Sequence, residues 1–423
     1  MFANLKTILF ITGFLSISLT TLAESISVSP IESISLQDAI RATLNKNPSL
    51  QVYQFKYQAL EGEKITAALK PPLEISGEIE NITGTGEFSG MDAAETTLSL
   101  SSVIELGNPR EARSQLVTAR QAALMSSERV TSANLLTQVT QQFILVLAAQ
   151  ENVKLQDAFC NASKTSVQYV QQLMQAGRFT NTELLRAKTA LALCSIELQK
   201  YKSVLHTEKI KLSMYWGEPI ANFSEVNADL YRMMPVKALN NWMTLLEQNP
   251  DVILLNQDVA VKTAEIKQLR ADSQSDIQWH AGVRQFQATD DAAIVIGVNV
   301  PLGQKNRSSG TLNTAIANQS LAEADRDIAL IQAKAELNSI YSEYQSLLDQ
   351  IKLLQYDILP LLEQDIQNTT KAFIQGRYSY LEFNVAQKEL LETQKILIET
   401  ATEAHLLHAR LERLTANSYL KEE

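Results

Sequence analysis

Apolar and polar residues follow two different periods along this chain, and the two periods recur in the same order twice. Leu73-Glu74-Ile75-Ser76-Gly77-Glu78-Ile79-Glu80 alternates, the period of a strand with two unlike faces. Thr96 to Ile104 does the same, with Leu98, Leu100 and Ile104 on one side. The Gly-rich polar stretch between them, Asn81 to Ala94, reads as a hairpin loop. Further on, Ile277, Trp279, Ala281 and Val283 share a face, followed by Ile294, Ile296, Val298 and Val300. The predicted strands span about 73–83, 96–105, 276–288 and 292–302, each near the length of roughly 10 residues that a tilted strand needs to cross a bilayer in a barrel.

After each strand pair the period becomes helical. From Leu330 a heptad runs through Leu337, Tyr344, Ile351 and Ile358, with a companion set Ala333, Ile340, Leu347, Leu354 and Leu361. These are the a and d positions of a left-handed coiled coil. A return helix carries Leu390, Leu397, Ala404, Leu407, Leu411 and Leu414. Between Arg307 and Gln375 the only glycine is Gly310, and Pro360 is the predicted kink. At 1.5 Å per residue such a run reaches about 100 Å. Helices of this kind are expected to have no globular core of their own and to pack on one another, within and between chains.

The order of elements is a duplication. Asn45-Lys46-Asn47-Pro48 opens one copy and Glu247-Gln248-Asn249-Pro250 the other; Glu105-Leu106-Gly107 is matched by Pro301-Leu302-Gly303. The long helix of each copy breaks at Ala176-Gly177-Arg178-Phe179 or at Gln375-Gly376-Arg377-Tyr378, and a glutamate follows each break, Glu183 and Glu382. The reading is a signal peptide at 1–23, a first repeat at 24–216 with its helical hairpin at about 108–216, and a linker at 217–239. A second repeat follows at 240–416 with its hairpin at about 307–416, then a tail at 417–423. Four strands leave two open edges in one chain; closure by three copies gives about 12 strands, within the range that closes a barrel.

The start of the chain fits export: Lys6, an apolar run from Ile8 to about Leu19, then Thr21-Leu22-Ala23 as a small-residue cleavage site. That run falls short of the roughly 20 residues a spanning helix needs, and no later segment reaches even about 18. The net charge of −10 speaks against nucleic acid, whose phosphates require clustered Lys and Arg.

The chain resembles the TolC family of outer-membrane channel proteins, from about Leu36 to Leu414. The twin Asn-Pro openings, Ile104-Glu105-Leu106-Gly107 with Arg110 and Arg113, Val300-Pro301-Leu302-Gly303 and the two Gly-Arg-aromatic turns carry the resemblance. It is most similar to the outer-membrane component of cobalt–zinc–cadmium efflux systems. The resemblance implies a mainly α chain with a small β part, a homotrimer, a 12-stranded barrel in outer-membrane lipid, and a helical tunnel in the periplasm. It also implies a periplasmic adaptor, an inner-membrane RND pump that supplies the energy, and no catalysis. Under it the turns Gly177, Arg178, Phe179 and Gly376, Arg377, Tyr378 meet the adaptor, and Glu183 and Glu382 stand as an acidic ring at the mouth. A second acidic position of the family is Val385 here. Read without the family, the arginines cap helix ends and the glutamates are ordinary first-turn residues.

Cys160 and Cys194 lie equally far on either side of Gly177, so an antiparallel hairpin sets them opposite each other. They are read as a disulfide, which the periplasm permits, with two buried free thiols as the alternative. His405 and His408 share a helix face, His280 is expected to face a lumen, and His206 stands apart; no metal site or cofactor is expected. Gly84-Thr85-Gly86 belongs to a hairpin and not to a phosphate loop. The competing functions are an exit duct for drugs or secreted proteins and, from another class, a pore-less surface coiled coil.

Overall fold

The computed structural model describes residues 31–235 and 237–415. The predicted signal peptide and C-terminal tail lie outside the described residues. A short strand β1 (Ile31–Ile34) precedes the first copy: α1 (Leu36–Lys46), α2 (Pro48–Ala67), β2 (Glu74–Glu80), β3 (Glu95–Ile104), α3 (Pro109–Gln175) and α4 (Asn181–Met214). A second short strand, β4 (Phe223–Val226), leads to the other copy. That copy comprises α5 (Leu239–Leu245), α6 (Pro250–Asp272), β5 (Ile277–Phe286), β6 (Asp291–Asn299), α7 (Gln304–Lys352), α8 (Leu359–Ile374) and α9 (Tyr380–Thr415). The chain is thus mainly helical, and helix–strand–strand–long helix–helix occurs twice.

The four long strands form one antiparallel sheet in the order β2-β3-β5-β6, so the copies meet at β3 and β5, and among the described residues the outer strands have no partner at their far sides. The helices next to the sheet repeat that order: α2 packs on α3, α3 on α6, and α6 on α7. Farther along, α3 packs on α4 and α9, and α9 on α7 and α8. At 67 residues, α3 extends about 100 Å.

The twin Asn-Pro sequences have one structural reason. Asn47 caps α2, accepting from the Ser49 N–H at 2.9 Å, while its Nδ2 donates to the Tyr215 carbonyl at 2.7 Å. Asn249 accepts from the Asp251 N–H at 2.7 Å and donates to the Leu414 carbonyl at 2.7 Å. Proline fits the first helical position because the missing N–H has no partner there anyway. Each asparagine therefore pins the helix leading into a copy to the end of that copy's return helix.

One expectation gains detail and two are corrected. First, the linker stretch 217–239 carries β4, which pairs in parallel with β1, Ser33 opposite Glu225. The Gln150 side chain of α3 brackets β4 like a strand, donating to the Val226 carbonyl at 3.1 Å and accepting from its N–H at 2.7 Å. Secondly, the helices do share a core. Phe223, Val226, Leu230, Trp216 and Trp242 join Phe143, Leu212, Leu337, Tyr344, Leu397 and Leu411 in one buried cluster around the middle of the helices. A belt of this kind gives long helices the apolar burial they lack elsewhere.

Thirdly, the heptad seam slips. Leu337, Ile340, Tyr344, Leu347, Ile351 and Leu354 are buried as the pattern requires, but Ile358 is only half-buried and Leu361 is 68% exposed. A π-helical turn at Leu353–Ile358 causes this. There the Leu359 N–H donates to the Leu354 carbonyl, five residues back. The extra residue advances the phase, so the buried positions continue at Leu359, Thr369 and Phe373. Pro360, which has no N–H to give the carbonyl four residues earlier, follows directly. The expected kink is thus a widened turn just ahead of the proline.

Candidate functional site

Residues directly opposite in an antiparallel sheet share a face, so the register sorts the two surfaces. One face is apolar: Ile75, Leu100, Ala281 and Ile296 form one row, Leu98, Val283 and Ile294 the next, and Trp279 with Val298 a third. Ile75 and Ile294 are 78% and 77% exposed, which is costly in water and favourable against lipid. The other face carries Glu74, Ser76, Glu78, Glu80, Glu95, Thr97, His280, Arg284 and Asp291. His280 accordingly lies on the face opposite Trp279, among the acidic residues. Near the hairpin loops Arg284 bridges Glu80 and Glu95, 2.8 Å from each.

The passage from sheet to helix is a braced elbow. Gly107 (φ 84°) and Asn108 (φ 57°) take left-handed conformations ahead of Pro109. A Cβ at Gly107 would lie 2.5 Å from Gln274 Cγ, so glycine answers both the backbone and the close approach. Glu105 pairs with Arg113 at 2.6 Å, and the Leu106 N–H donates to Asp276 at 3.2 Å, tying the first elbow to the start of β5. The Glu-Leu-Gly…Arg motif is therefore a structural brace, and of its two arginines the brace uses Arg113.

At the far end of the helices the two hairpin turns are built alike. Gly177 (φ 74°) and Gly376 (φ 71°) close α3 and α8 in left-handed conformation. The Arg178 N–H donates to the Leu173 carbonyl and the Arg377 N–H to the Ala372 carbonyl, each at 2.9 Å, the bond that ends a helix in a Schellman turn. Glu183 and Glu382 then close capping boxes. Glu183 accepts from the Thr180 N–H at 2.8 Å, and Glu382 from the Ser379 N–H at 2.7 Å. The first-turn reading of these glutamates is what the contacts describe; their charge still stands at the tips.

The tips touch each other. Phe179 of the first turn packs on Phe373 of α8, ring centroids 5.7 Å apart, and Phe373 stacks on Phe383 at 4.4 Å. Val170, Leu184, Ala187 and Tyr380 complete this second core. The Arg178 guanidinium crosses to the Gln375 carbonyl at the end of α8, at 3.4 Å, while Arg377 bonds the Gln375 side chain. Tyr378, the counterpart of Phe179, is 44% exposed. Val385 is exposed on α9.

Cys160 and Cys194 form a disulfide between α3 and α4, with Cα atoms 5.7 Å apart. His405 and His408 serve different neighbours within the belt. His405 Nε2 lies 2.9 Å from the Leu230 carbonyl, while His408 packs on Tyr344 and Trp242 with Nδ1 3.8 Å from Glu412. Burial pushes both imidazoles below their ordinary value, and it pushes the Tyr344 hydroxyl up to about 12. His206 is exposed on α4. Among the described residues no group of three or more His, Cys, Asp or Glu side chains is placed to hold a metal, and no helix is long and apolar enough to cross a membrane.

The model of the outer membrane efflux protein family matches residues 39–218 and 243–417. The cobalt-zinc-cadmium resistance protein CzcC of Cupriavidus metallidurans is 22% identical over 361 residues, 85% of each chain. CusC, solved as a transmembrane channel, shares the fold with a TM-score of 0.75 at 17% identity, over 92% of this chain and 93% of its own. The outer membrane protein VceC of Vibrio cholerae does so at 0.73 and 18%, over 90% and 95%. With the family model covering most of its length, this chain belongs to the outer membrane efflux protein family and serves as an outer-membrane exit duct of an efflux system.

Proposed function

We propose that three copies close edge to edge, β6 of one against β2 of the next, into a barrel of about 12 strands continued by a helical tunnel. One observation carries this reading: a single four-stranded sheet has faces of opposite polarity and two open edges. The helical layer has unfinished edges at the same places. Phe55 on α2 is 65% exposed, Ile331 on α7 67% and Ile196 on α4 66%. Closure by further copies covers these flanks and the strand edges together.

In this assembly the polar face lines the lumen. The adaptor meets the tips at Gly177–Phe179 and Gly376–Tyr378, and an inner-membrane RND pump supplies the energy. The similarity to CzcC and the acidic polar face support heavy-metal cations as cargo. The test introduces single cysteines along β2 at Ser76 or Glu78, each paired with Val295→Cys on β6. The native cysteines are already bonded to each other. Covalent trimers on oxidation are expected for the facing pairs. Folded protein that yields monomers with every pair would refute edge-to-edge closure.

A further inference from the structure

At its helix end the apolar face of the sheet has a charged margin. Leu73, Leu106 and Leu302 continue the spacing of Ile75, Ile104 and Val300 past the strand ends, and all three are exposed, Leu302 at 85%. Beyond these leucines stand Lys70, Lys305 and Arg307 toward the flanks of the chain, with Lys267 and Arg270 on α6 between them. All five are exposed, and none takes part in an ion pair among the described residues. Lys305 and Arg307 occupy the first turn of α7, where the helix dipole disfavours cations and no acidic residue offsets them. The opposite margin has the other sign: the hairpin loops 81–94 and 287–290 hold Glu87, Asp92 and Asp290 and no Lys or Arg. A water-exposed surface intersperses its signs, whereas here they are sorted to the two margins of an apolar band.

Helix phase decides which side of the wall Lys267 and Arg270 occupy. Glu105 and Asp276 follow the polar face in strand alternation, and Arg113 gathers with them and with Asp272. Residues two apart on a helix point about 160° apart, and residues five apart about 140°. Glu111 is thus turned away from Arg113, and Arg270 and Lys267 from Asp272. These three line one groove of about 420 Å³ between α3 and α6, with Gly107, Asn108 and Gln274 at its sheet end. The groove therefore opens on the side of the apolar face. Helices α3 and α6 are the inner pair in the order α2-α3-α6-α7, away from the flanks that another copy would cover. Glu111 accepts from Gln115 at 3.2 Å and offsets one of the two cations. Past Lys267 the groove continues along Ala119, Ala122, Ala260 and Thr263 without further charge.

We propose that Lys267 and Arg270 bind the phosphate of an anionic phospholipid whose acyl chains lie on the apolar face, in the leaflet next to the helices. The inference rests on that face meeting lipid and not on closure by three copies. Lys267 stands five residues, about 8 Å, before the end of α6, and a headgroup layer is about 5–8 Å deep. A phosphate at this depth meets two cations that have no protein partner, while the chains of the same lipid reach the leucines. Phosphatidylethanolamine offers a phosphate as well, but its ammonium is repelled by the same cations. A lipid of net negative charge is therefore favoured.

The experiment incubates purified full-length protein in detergent with equal amounts of phosphatidylglycerol and phosphatidylethanolamine of the same acyl chains. Native mass spectrometry then counts the lipids retained. Each cation near an anionic lipid surface is worth a factor of roughly five, and Glu111 offsets one, so wild type should retain phosphatidylglycerol about fivefold over phosphatidylethanolamine. Lys267→Gln combined with Arg270→Gln should bring that ratio close to equality. Glu111→Gln should raise it, and reads the same groove without neutralising either cation. Lys188→Gln combined with Lys202→Gln removes two exposed cations of α4, far from the sheet, and should leave the ratio unchanged. Equal retention of the two lipids by wild type, or a preference that the Lys267 and Arg270 variant keeps, would overturn the proposal and leave the apolar face bound to lipid. An equal fall in the α4 variant would reduce the preference to net charge and overturn it too. Retention of neither lipid would overturn the lipid-facing reading as well.

Discussion

Arg178, at the turn of the first hairpin, donates to the Gln375 carbonyl at the turn of the second, 3.4 Å away. The bond joins residues 197 positions apart and sets a cation at the C-terminal end of α8, where the helix dipole favours it. It is also long and exposed, so its energy is small beside that of the aromatic cluster behind it. Phe373 is 1% exposed and packs against Phe179, Tyr380 and Phe383.

Arg178→Ala should therefore change unfolding free energy by less than about 1 kcal/mol, whereas Phe373→Ala should cost about 3–4 kcal/mol. Denaturant unfolding of the two variants checks the difference. Freeing one tip from the other should also raise the mean single-channel conductance of Arg178→Ala. An unchanged conductance would mean that the bond does not restrain the mouth.

The disulfide closes a loop with a sequence separation of 34. Replacing Cys160 and Cys194 by serine should lower stability by about 2–4 kcal/mol, read as a fall in thermal midpoint that reductant reproduces in the wild type. Denatured, unreduced wild-type protein should offer no thiol to a maleimide. Two labelled thiols per chain would contradict the bond.

Asn249 is 2% exposed and does two jobs, capping α6 and tying it to the Leu414 carbonyl. Asn249→Ala should cost about 2–3 kcal/mol, a lost cap plus a buried carbonyl without its donor. Asn249→Asp keeps the cap but turns an acceptor toward that carbonyl, so it should not rescue stability. Full rescue by aspartate in thermal unfolding would reduce the role to capping alone.

His405 and His408 give the belt a pH dependence of defined sign. Burial depresses both imidazoles below 6.5 in the folded chain; the Leu230 carbonyl and Asp229 partly offset this at His405, as Glu412 does at His408, while Lys237 adds to it there. The unfolded chain then binds protons more readily than the folded one. Their contribution is present above the unfolded value and is lost as pH falls through the depressed folded values. Unfolding midpoints should drop on acidification from neutral pH, and less steeply in His405→Gln. Identical slopes for the variant and the wild type would exclude His405.

Much of this architecture is legible in the sequence because it rests on short-range periods. Alternation around Ile75, Leu98, Val283 and Ile296 marks the strands and their apolar face, and the seam from Leu337 to Leu354 marks the long helix. The slip after Leu354 is not legible, since one extra residue in a turn leaves no compositional trace beyond Pro360. Nor is the pairing of β1 with β4, two strands of four residues whose partner lies far along the chain. The capping boxes could have been found: Thr180 and Ser379 each stand three residues before a glutamate at the start of a helix. That Lys267 and Arg270 meet Glu111 in one groove depends on how α6 packs beside α3 and becomes visible only in the folded chain.

Planar-bilayer recording of the detergent-extracted, purified protein, with potassium and chloride permeabilities compared across a salt gradient, tests the trimeric duct most directly. Discrete conductance steps with a reversal potential favouring cations are the predicted result, from a lumen lined by Glu74, Glu78, Glu80 and Glu95 with Arg284 and His280. Protein that remains soluble without detergent and inserts no channel would contradict it, and would favour a surface coiled coil without a pore.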